Sequence, residues 1–302
     1  MRIHGWEKRG LVIKPDQKFW WSCTHAMVPT PLHIAGSVYR IYFSGRDRYN
    51  RSHIGYVVID MHDPAVVLEY SSEPVLGLGA LGCFDDNGVT PSCAVRVGDE
   101  IRLYYIGWNP GVTVRMHLFG GLAVSKDGGN TFQRWSQAPI LERCPTDPYL
   151  NTAPWAVWSG EEWRLYYVCG TGWRHQDLPR YHIRMARSKD GLHWQRDGHV
   201  CIDFAGEHEN ALARPYVVLE EGIWKMWFAH KGEAYRLGYA ESQDGCLWER
   251  MDERVGITVS SGVACDSEMI EYAAVINHHG QRIMYYNGND YGKDGICLAV
   301  EA

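Results

Sequence analysis

WRLYYVCG, running from Trp163 to Gly170, decides the fold, because the same phrase returns four more times. It reads YRIYFSG from Tyr39, IRLYYIGW from Ile101, WKMWFAHKG from Trp224 and RIMYYNGN from Arg282. Anchored on Tyr42, Tyr104, Tyr166, Trp227 and Tyr285, the copies recur about every 58 to 62 residues, a longer period than WD40 or kelch repeats but of the same logic. The chain is read as five copies of one unit.

Working outward from the aromatic strand, each copy yields four strands. An apolar run precedes it (Pro29 to Ala35, Thr90 to Val97, Ala153 to Trp158, Arg214 to Leu219, Glu271 to Ile276), and a third run follows, as in LAVSKDGG, IRMARSKDG and LGYAESQDG. A fourth begins at Phe132, Trp194 or Trp248 and closes on Ile140, Ile202 or Ile257. Short alternating runs separated by Gly, Asp and Asn turns are antiparallel strands joined by hairpins. The expected fold is therefore all-β, a five-bladed β-propeller of four-stranded antiparallel blades. The blades fall roughly at 22–77, 86–141, 150–202, 209–258 and 266–302. The fifth copy stops after Leu298 without its fourth strand, yet WEKRGLVI at 6–13 matches WQRDGHVCI at Trp194 and WERMDERVGI at Trp248. The segment 6–14 is thus expected to complete the last blade, leaving no open sheet edge, and 1–302 is read as one domain.

Composition narrows the function. Of 302 residues, 45% are hydrophobic and 22% charged, which describes an ordered globular chain. The net charge of -6 offers no basic face for nucleic acid. No run approaches the roughly 20 apolar residues of a membrane span, and MRIHGWEKRG lacks the apolar core of a leader. The nine cysteines are odd in number and carry no CxxC pair, so a cytoplasmic protein with reduced thiols and no cysteine zinc site is expected. Most of the 13 Trp and 18 Tyr residues belong between sheets.

In an antiparallel blade the start of the innermost strand and the end of its neighbour share one rim, so one face of the ring collects both from every copy. Counting back about 17 to 19 positions from each aromatic anchor reaches His25, Asp85 to Asn87, Asp147 to Tyr149, His208 to Asn210 and Asp266 to Glu268. Just past the aromatic strand lie Arg46, Trp108, Trp173, His230, Asn287, Asn289 and Tyr291. Any one of these has a turn explanation. Together, aromatic faces for C–H surfaces and carboxylates, amides and Arg for hydroxyl or anionic groups describe a sugar or polar-metabolite site.

VTPSCAVRVGDEIRLYYIGW, LAVSKDGGNTF, ARSKDGLHW, YAESQDGCLW and DSEMIEYAAVINHHGQRIMYYNGNDYG resemble the propeller glycosidases. These comprise the arabinanase and xylosidase-like, invertase-like and mannoside phosphorylase-like families. The S-x-D-G phrases also look like the Asp-box turns of sialidases, which implies a structural role for Asp127, Asp190 and Asp244. In the arabinanase and xylosidase-like families an Asp base, an Asp modulator and a Glu acid come from the first three blades and act by inverting displacement. This chain departs from that pattern: Val28-Pro29 stands in place of A-D-P and Thr152-Ala153-Pro154 in place of E-G-P. Only Asp85 or Asp86 keeps a counterpart. The carboxylates have moved to GEHENALARP and DSEMIEY.

Asp86, Glu209 and Glu268 are accordingly the candidate catalytic acids, with Asp266 as a neighbour that could raise the pKa of Glu268. His25, Arg46, Asp85, Trp108, Trp173, Arg214, His230, Asp266, Asn287, Asn289 and Tyr291 are the candidate substrate contacts. Arg46, Arg174, Arg214 and Lys231 would hold a phosphate if the reaction were phosphorolysis. The expected activity is that of a glycoside hydrolase-like enzyme on a small carbohydrate or sugar-nucleotide. Two alternatives stay open: another propeller chemistry using His25, His208 and His230, or a non-catalytic sugar-binding propeller. No cofactor is expected, although the His set leaves open a divalent cation in the central channel.

Overall fold

The computed structural model describes residues 5–302, so residues 1–4 of the expected domain lie outside it. Strand β1 (Trp6–Ile13) is followed by β2 (Thr24–Ala35), β3 (Val38–Arg46), β4 (Ser52–Asp60) and β5 (Val67–Tyr70), and β2 to β5 pair in order as one antiparallel ladder. Next come β6 (Val89–Val97), β7 (Glu100–Pro110), β8 (Met116–Ser125) and β9 (Gln133–Arg134). The pattern repeats with β10 (Asn151–Trp158), β11 (Trp163–His175), β12 (Leu178–Ser188) and β13 (Val200–Ile202). It repeats again with β14 (Ala211–Glu220), β15 (Ile223–Lys231), β16 (Tyr235–Ser242) and β17 (Glu249–Arg250). Finally β18 (Glu271–His278) and β19 (Gln281–Asn287) pair with β20 (Ile296–Glu301), and β20 takes β1 as its outer neighbour.

Hydrogen bonding groups these strands into three sheets, of four, twelve and four strands, where the sequence predicts separate four-stranded units. The difference has a local cause. Single parallel bridges, Asn151 with Phe119 and Tyr181 with Ala211, fuse three antiparallel ladders at their inner ends. A third such bridge joins Ser52 to Gly88. Each lies where the third strand of one ladder meets the first strand of the next.

The repeated phrase has a double role. Its aromatic anchors Tyr42, Tyr104, Tyr166, Trp227 and Tyr285 are all buried between ladders. The tyrosines among them also carry their hydroxyls into the next ladder. Tyr42 donates to Gly129 O at 2.8 Å, Tyr104 to Gly191 O at 2.7 Å and Tyr166 to Gly245 O at 2.8 Å. The Arg two residues earlier reaches the same turn, Arg40 to Gly128 O, Arg102 to Asp190 O and Arg164 to Asp244 O. The receiving turns are the S-x-D-G phrases, whose Asp127, Asp190 and Asp244 each accept a serine hydroxyl and two backbone N–H groups.

Where the anchor is Trp227 it has no hydroxyl, and Tyr216 instead donates to Val275 O at 2.9 Å. Tyr285 donates to Pro64 O at 2.8 Å, joining the end of the chain to its start. Removing one such hydroxyl leaves a buried carbonyl without its donor. Tyr166→Phe is expected to lower stability by about 1–2 kcal/mol, measured by urea unfolding; no change would mean that the turn is held by Arg164 alone.

Candidate functional site

All five inner strands carry an irregularity at one place. The register slips between Met27 and Thr30, Pro91 and Cys93, Thr152 and Trp155, Ala213 and Tyr216, and Glu271 and Ala274. Such bulges re-aim side chains. In four of them a non-glycine residue sits in the left-handed region: Val28 (φ 56°), Ala153 (φ 48°), Arg214 (φ 49°) and Tyr272 (φ 55°). Each costs on the order of 1–3 kcal/mol, strain that persists where the surroundings over-determine it. All four line one cavity of about 570 Å³, together with Thr90 from the fifth strand.

The cavity wall is aromatic and cationic. Trp108, Tyr181, Tyr235, Tyr272 and Tyr291 provide ring faces, and Arg46, Arg115, Arg214 and Lys231 provide charge. Asp177 is the only carboxylate in this lining. Tyr181 and Tyr235 share a hydrogen bond of 2.6 Å, and Lys231 Nζ donates to the Tyr291 hydroxyl at 3.3 Å while packing over the Tyr235 and Tyr291 rings.

Arg214 is buried at the convergence of the inner strands. Its guanidinium donates to Ala273 O (2.9 Å), Pro29 O (2.6 Å), Ser92 O (3.3 Å) and Thr30 Oγ1 (3.1 Å), and lies over the Trp155 ring at 5.2 Å. One side chain thus touches every inner strand. Burial lowers its pKa to about 10, which leaves it charged at neutral pH.

Glu271, at the start of β18, is wholly buried beside Tyr272. Neither carboxyl oxygen has a well-formed hydrogen bond. Burial pushes its pKa well above the ordinary carboxylate range, against smaller opposing effects of Tyr272 and Lys231. Glu271 does not itself line the cavity; it adjoins it through Tyr272, which does.

The residues expected from the sequence divide between this cavity and other places. Arg46, Trp108, Arg214 and Tyr291 line it. Trp173 lines a separate cleft with Arg174, Arg180 and Glu207. His25 is not in the cavity lining; burial, then Arg46 and Lys293, lower its pKa to about 4. Asn287 is a buried staple that accepts from Val28 N and donates to Ala26 O and Gly295 O. Asn289 holds the 264–269 loop by accepting from Glu268 N and Met269 N and donating to Ala264 O.

The acids found by counting back from the aromatic anchors share a different arrangement. Asp85, Asp147 and Asp266 each accept the hydroxyl of a Tyr twenty positions later, Tyr105, Tyr167 and Tyr286, at 2.9 Å. Each also meets a cation: Arg134 on Asp85 at 2.7 Å, Arg184 on Asp147 at 2.7 Å and Lys8 on Asp266 at 2.6 Å. Glu209 takes the corresponding place in the fourth ladder, gripped by Arg250 through both oxygens, with His230 at 3.0 Å. Burial alone would raise the Glu209 pKa, but hydrogen bonds from Arg250, His230 and Ala205 N bring it down to about 2.

These carboxylates anchor each connecting segment to its ladder, and none of them lines the cavity. Asp86 accepts from Gly82 N and Asn109 Nδ2, and Glu268 is exposed; neither is in the lining. Among the described residues no group of three or more His, Cys, Asp or Glu side chains is arranged to hold a metal, so His25, His208 and His230 are not brought together as ligands.

Sequence reasoning missed Tyr181, Tyr235, Tyr272, Arg115 and Glu271. A signal for part of the wall was present. The residue before proline in Val28-Pro29, Thr90-Pro91, Ala153-Pro154 and Arg214-Pro215, with Tyr272 in the fifth copy, precedes its aromatic anchor by about 13 or 14 positions. The bulge makes this later position the one that faces the centre.

No family model matches the chain. Uncharacterized protein Rv1502 of Mycobacterium tuberculosis (strain ATCC 25618 / H37Rv) is 42% identical over 297 residues, covering 98% of both chains. Uncharacterized protein MT1551 of strain CDC 1551 / Oshkosh matches equally, at 42% over 297 residues. Among solved structures, a glycoside hydrolase superposes with a TM-score of 0.74 at 19% identity, covering 97% of this chain and 90% of that one. A thermostable family-43 glycoside hydrolase gives 0.63 at 16%, over 92% and 89%. A Bombyx mori GH32 beta-fructofuranosidase in complex with sucrose gives 0.63 at 15%, over 92% and 61%. The fold is that of the propeller glycoside hydrolases.

Proposed function

The chain belongs to the same family as the mycobacterial protein Rv1502, and from that premise and its cavity we propose that it is a single-domain, five-bladed β-propeller acting on a small carbohydrate or sugar-nucleotide. Five blades of four strands are supported by the five antiparallel ladders, by β1 completing the last, and by the hydroxyl links that run from ladder to ladder and return from Tyr285 to Pro64. The observation that carries the function is the convergence of five bulged inner strands on one cavity with aromatic faces and donor-rich side chains. Such a wall suits a polyhydroxylated ligand, with rings against C–H faces and charged donors on its oxygens.

Glycosidic chemistry needs a proton donor and a base or nucleophile on opposite sides of the bond. Glu271, next to the lining Tyr272 and with its pKa raised by burial, is the proposed acid, and Asp177 is the lining carboxylate. Asp86, Glu209 and Glu268 would act only on a ligand that reaches beyond this lining. A second reading, a non-catalytic sugar-binding propeller, is favoured by one fact. Glu209, with its pKa near 2 and its bidentate Arg250, is poorly suited to donate a proton at neutral pH.

Aryl glycosides, sugar phosphates and nucleotide sugars, offered with and without phosphate, separate the readings. An enzyme is expected to turn over at least one, and to lose that turnover in folded Glu271→Gln and Asp177→Asn variants. Ligand protection against heat without turnover would establish the binding module. Neither turnover nor protection by any member would overturn the carbohydrate reading.

A further inference from the structure

We propose that the cavity contains a subsite for an anionic substituent, a phosphate or carboxylate carried by the bound saccharide, formed by Arg46, Arg115 and Lys231 around the buried Arg214. The saccharide part of this statement rests on the carbohydrate reading above; the anion part rests on charge alone. The chain as a whole is acidic, with 36 Asp and Glu against 30 Lys and Arg. Its cavity reverses that balance, with four cations and one carboxylate in the lining.

This excess is not a general habit of the molecule. Beside the buried carboxylates outside the cavity the cations are matched: Arg134 with Asp85, Arg184 with Asp147 and Arg250 with Glu209, each at 2.7 Å. Among the described residues, none of the four cavity cations has a carboxylate within 4.0 Å. Arg46 is held instead by Asn50 Oδ1 and Met27 Sδ, and Lys231 by the Tyr291 hydroxyl.

Arg214 carries the argument furthest. Its charge is fully buried and neutralised by no acid, and its Nε hydrogen has no acceptor. Backbone carbonyls satisfy its other donors without cancelling the charge. A cleft lined by one sign of charge, with low-dielectric walls, concentrates its field on a ligand of opposite sign. Guanidinium groups also offer the paired donors that phosphate and carboxylate accept.

Calorimetric titration of the whole protein with glucose, glucose 1-phosphate, glucuronate, UDP-glucose and inorganic pyrophosphate tests this. At least one anionic saccharide is expected to bind roughly tenfold or more tightly than glucose, and Lys231→Met and Arg46→Met to remove roughly that factor each. Circular dichroism establishes that the variants are folded. Should they unfold, salt on the unaltered protein decides: affinity for the anionic ligand must fall as NaCl rises from about 50 to about 500 mM. Phosphate and carboxylate ligands that bind unequally identify which anion the subsite takes. Pyrophosphate binding that is lost in the variants, with no saccharide bound, would support the anion subsite and overturn the carbohydrate reading. Glucose binding as tightly as its charged counterparts, indifferent to both variants and to salt, would overturn the subsite and leave the carbohydrate reading standing. No binding by any of the five overturns the subsite.

Discussion

Arg214→Met is expected to cost about 3–5 kcal/mol of stability, the largest loss from any single substitution considered. A buried charge is often dispensable when an apolar residue of similar volume replaces the whole pair. Here the partners cannot be replaced with it. They are the carbonyls of Pro29, Ser92 and Ala273, which remain in the backbone of three other strands after the guanidinium has gone. Each would be left buried without its donor, at about 1–3 kcal/mol apiece before relaxation. Arg214→Lys keeps the charge but lacks the planar fork that reaches several strands at once, and is expected to fall between. Urea unfolding of the three proteins reads the effect. A Met variant within about 1 kcal/mol of the parent would show that the inner strands hold together without this hub.

The same residue shows what a sequence of this kind discloses. The repeat was legible because its anchors are core positions, and a core position recurs with the architecture: Tyr42, Tyr104, Tyr166, Trp227 and Tyr285 are all buried. The strand at 6–13 was legible for the same reason, and it pairs with β20. Periodicity also drew attention to Asp85, Asp147 and Asp266. These acids recur because three of the five ladders use one to tie the connecting segment to a Tyr twenty residues on, so the strongest periodic signal among carboxylates is a structural one.

The cavity is legible only in part, since it is built where the period breaks. A one-residue slip per inner strand, with Val28, Ala153, Arg214 and Tyr272 at positive φ, turns a different position toward the centre than even alternation along a strand would. No composition or spacing rule announces a left-handed Val or Arg before proline. Arg214 was reached through its charge, while Tyr181, Tyr235 and Glu271 gave no signal that separates them from core residues. The joining of three ladders into one sheet was equally hidden, because it depends on two isolated parallel bridges.

Glu271→Gln is expected to make the protein more stable at pH 8, by about 1–3 kcal/mol. In the unfolded chain this carboxyl titrates near its ordinary value of about 4.3; in the folded protein burial holds its pKa well above that. Below the unfolded value both states are protonated and the group has no effect on stability. As pH rises through it the unfolded state ionises while the folded state keeps its proton, so the parent loses stability until pH passes the folded pKa. Gln escapes that loss. The gap between variant and parent should therefore be small at pH 4, widen with pH and then level off, which unfolding curves at a series of pH values would follow. If Glu271 supplies the proton for chemistry in the cavity, the same variant gains stability and loses turnover, the opposed movements expected of a strained functional group. A variant that is less stable than the parent at pH 8 would mean that the carboxyl is held by partners and is not the unsatisfied acid its burial implies.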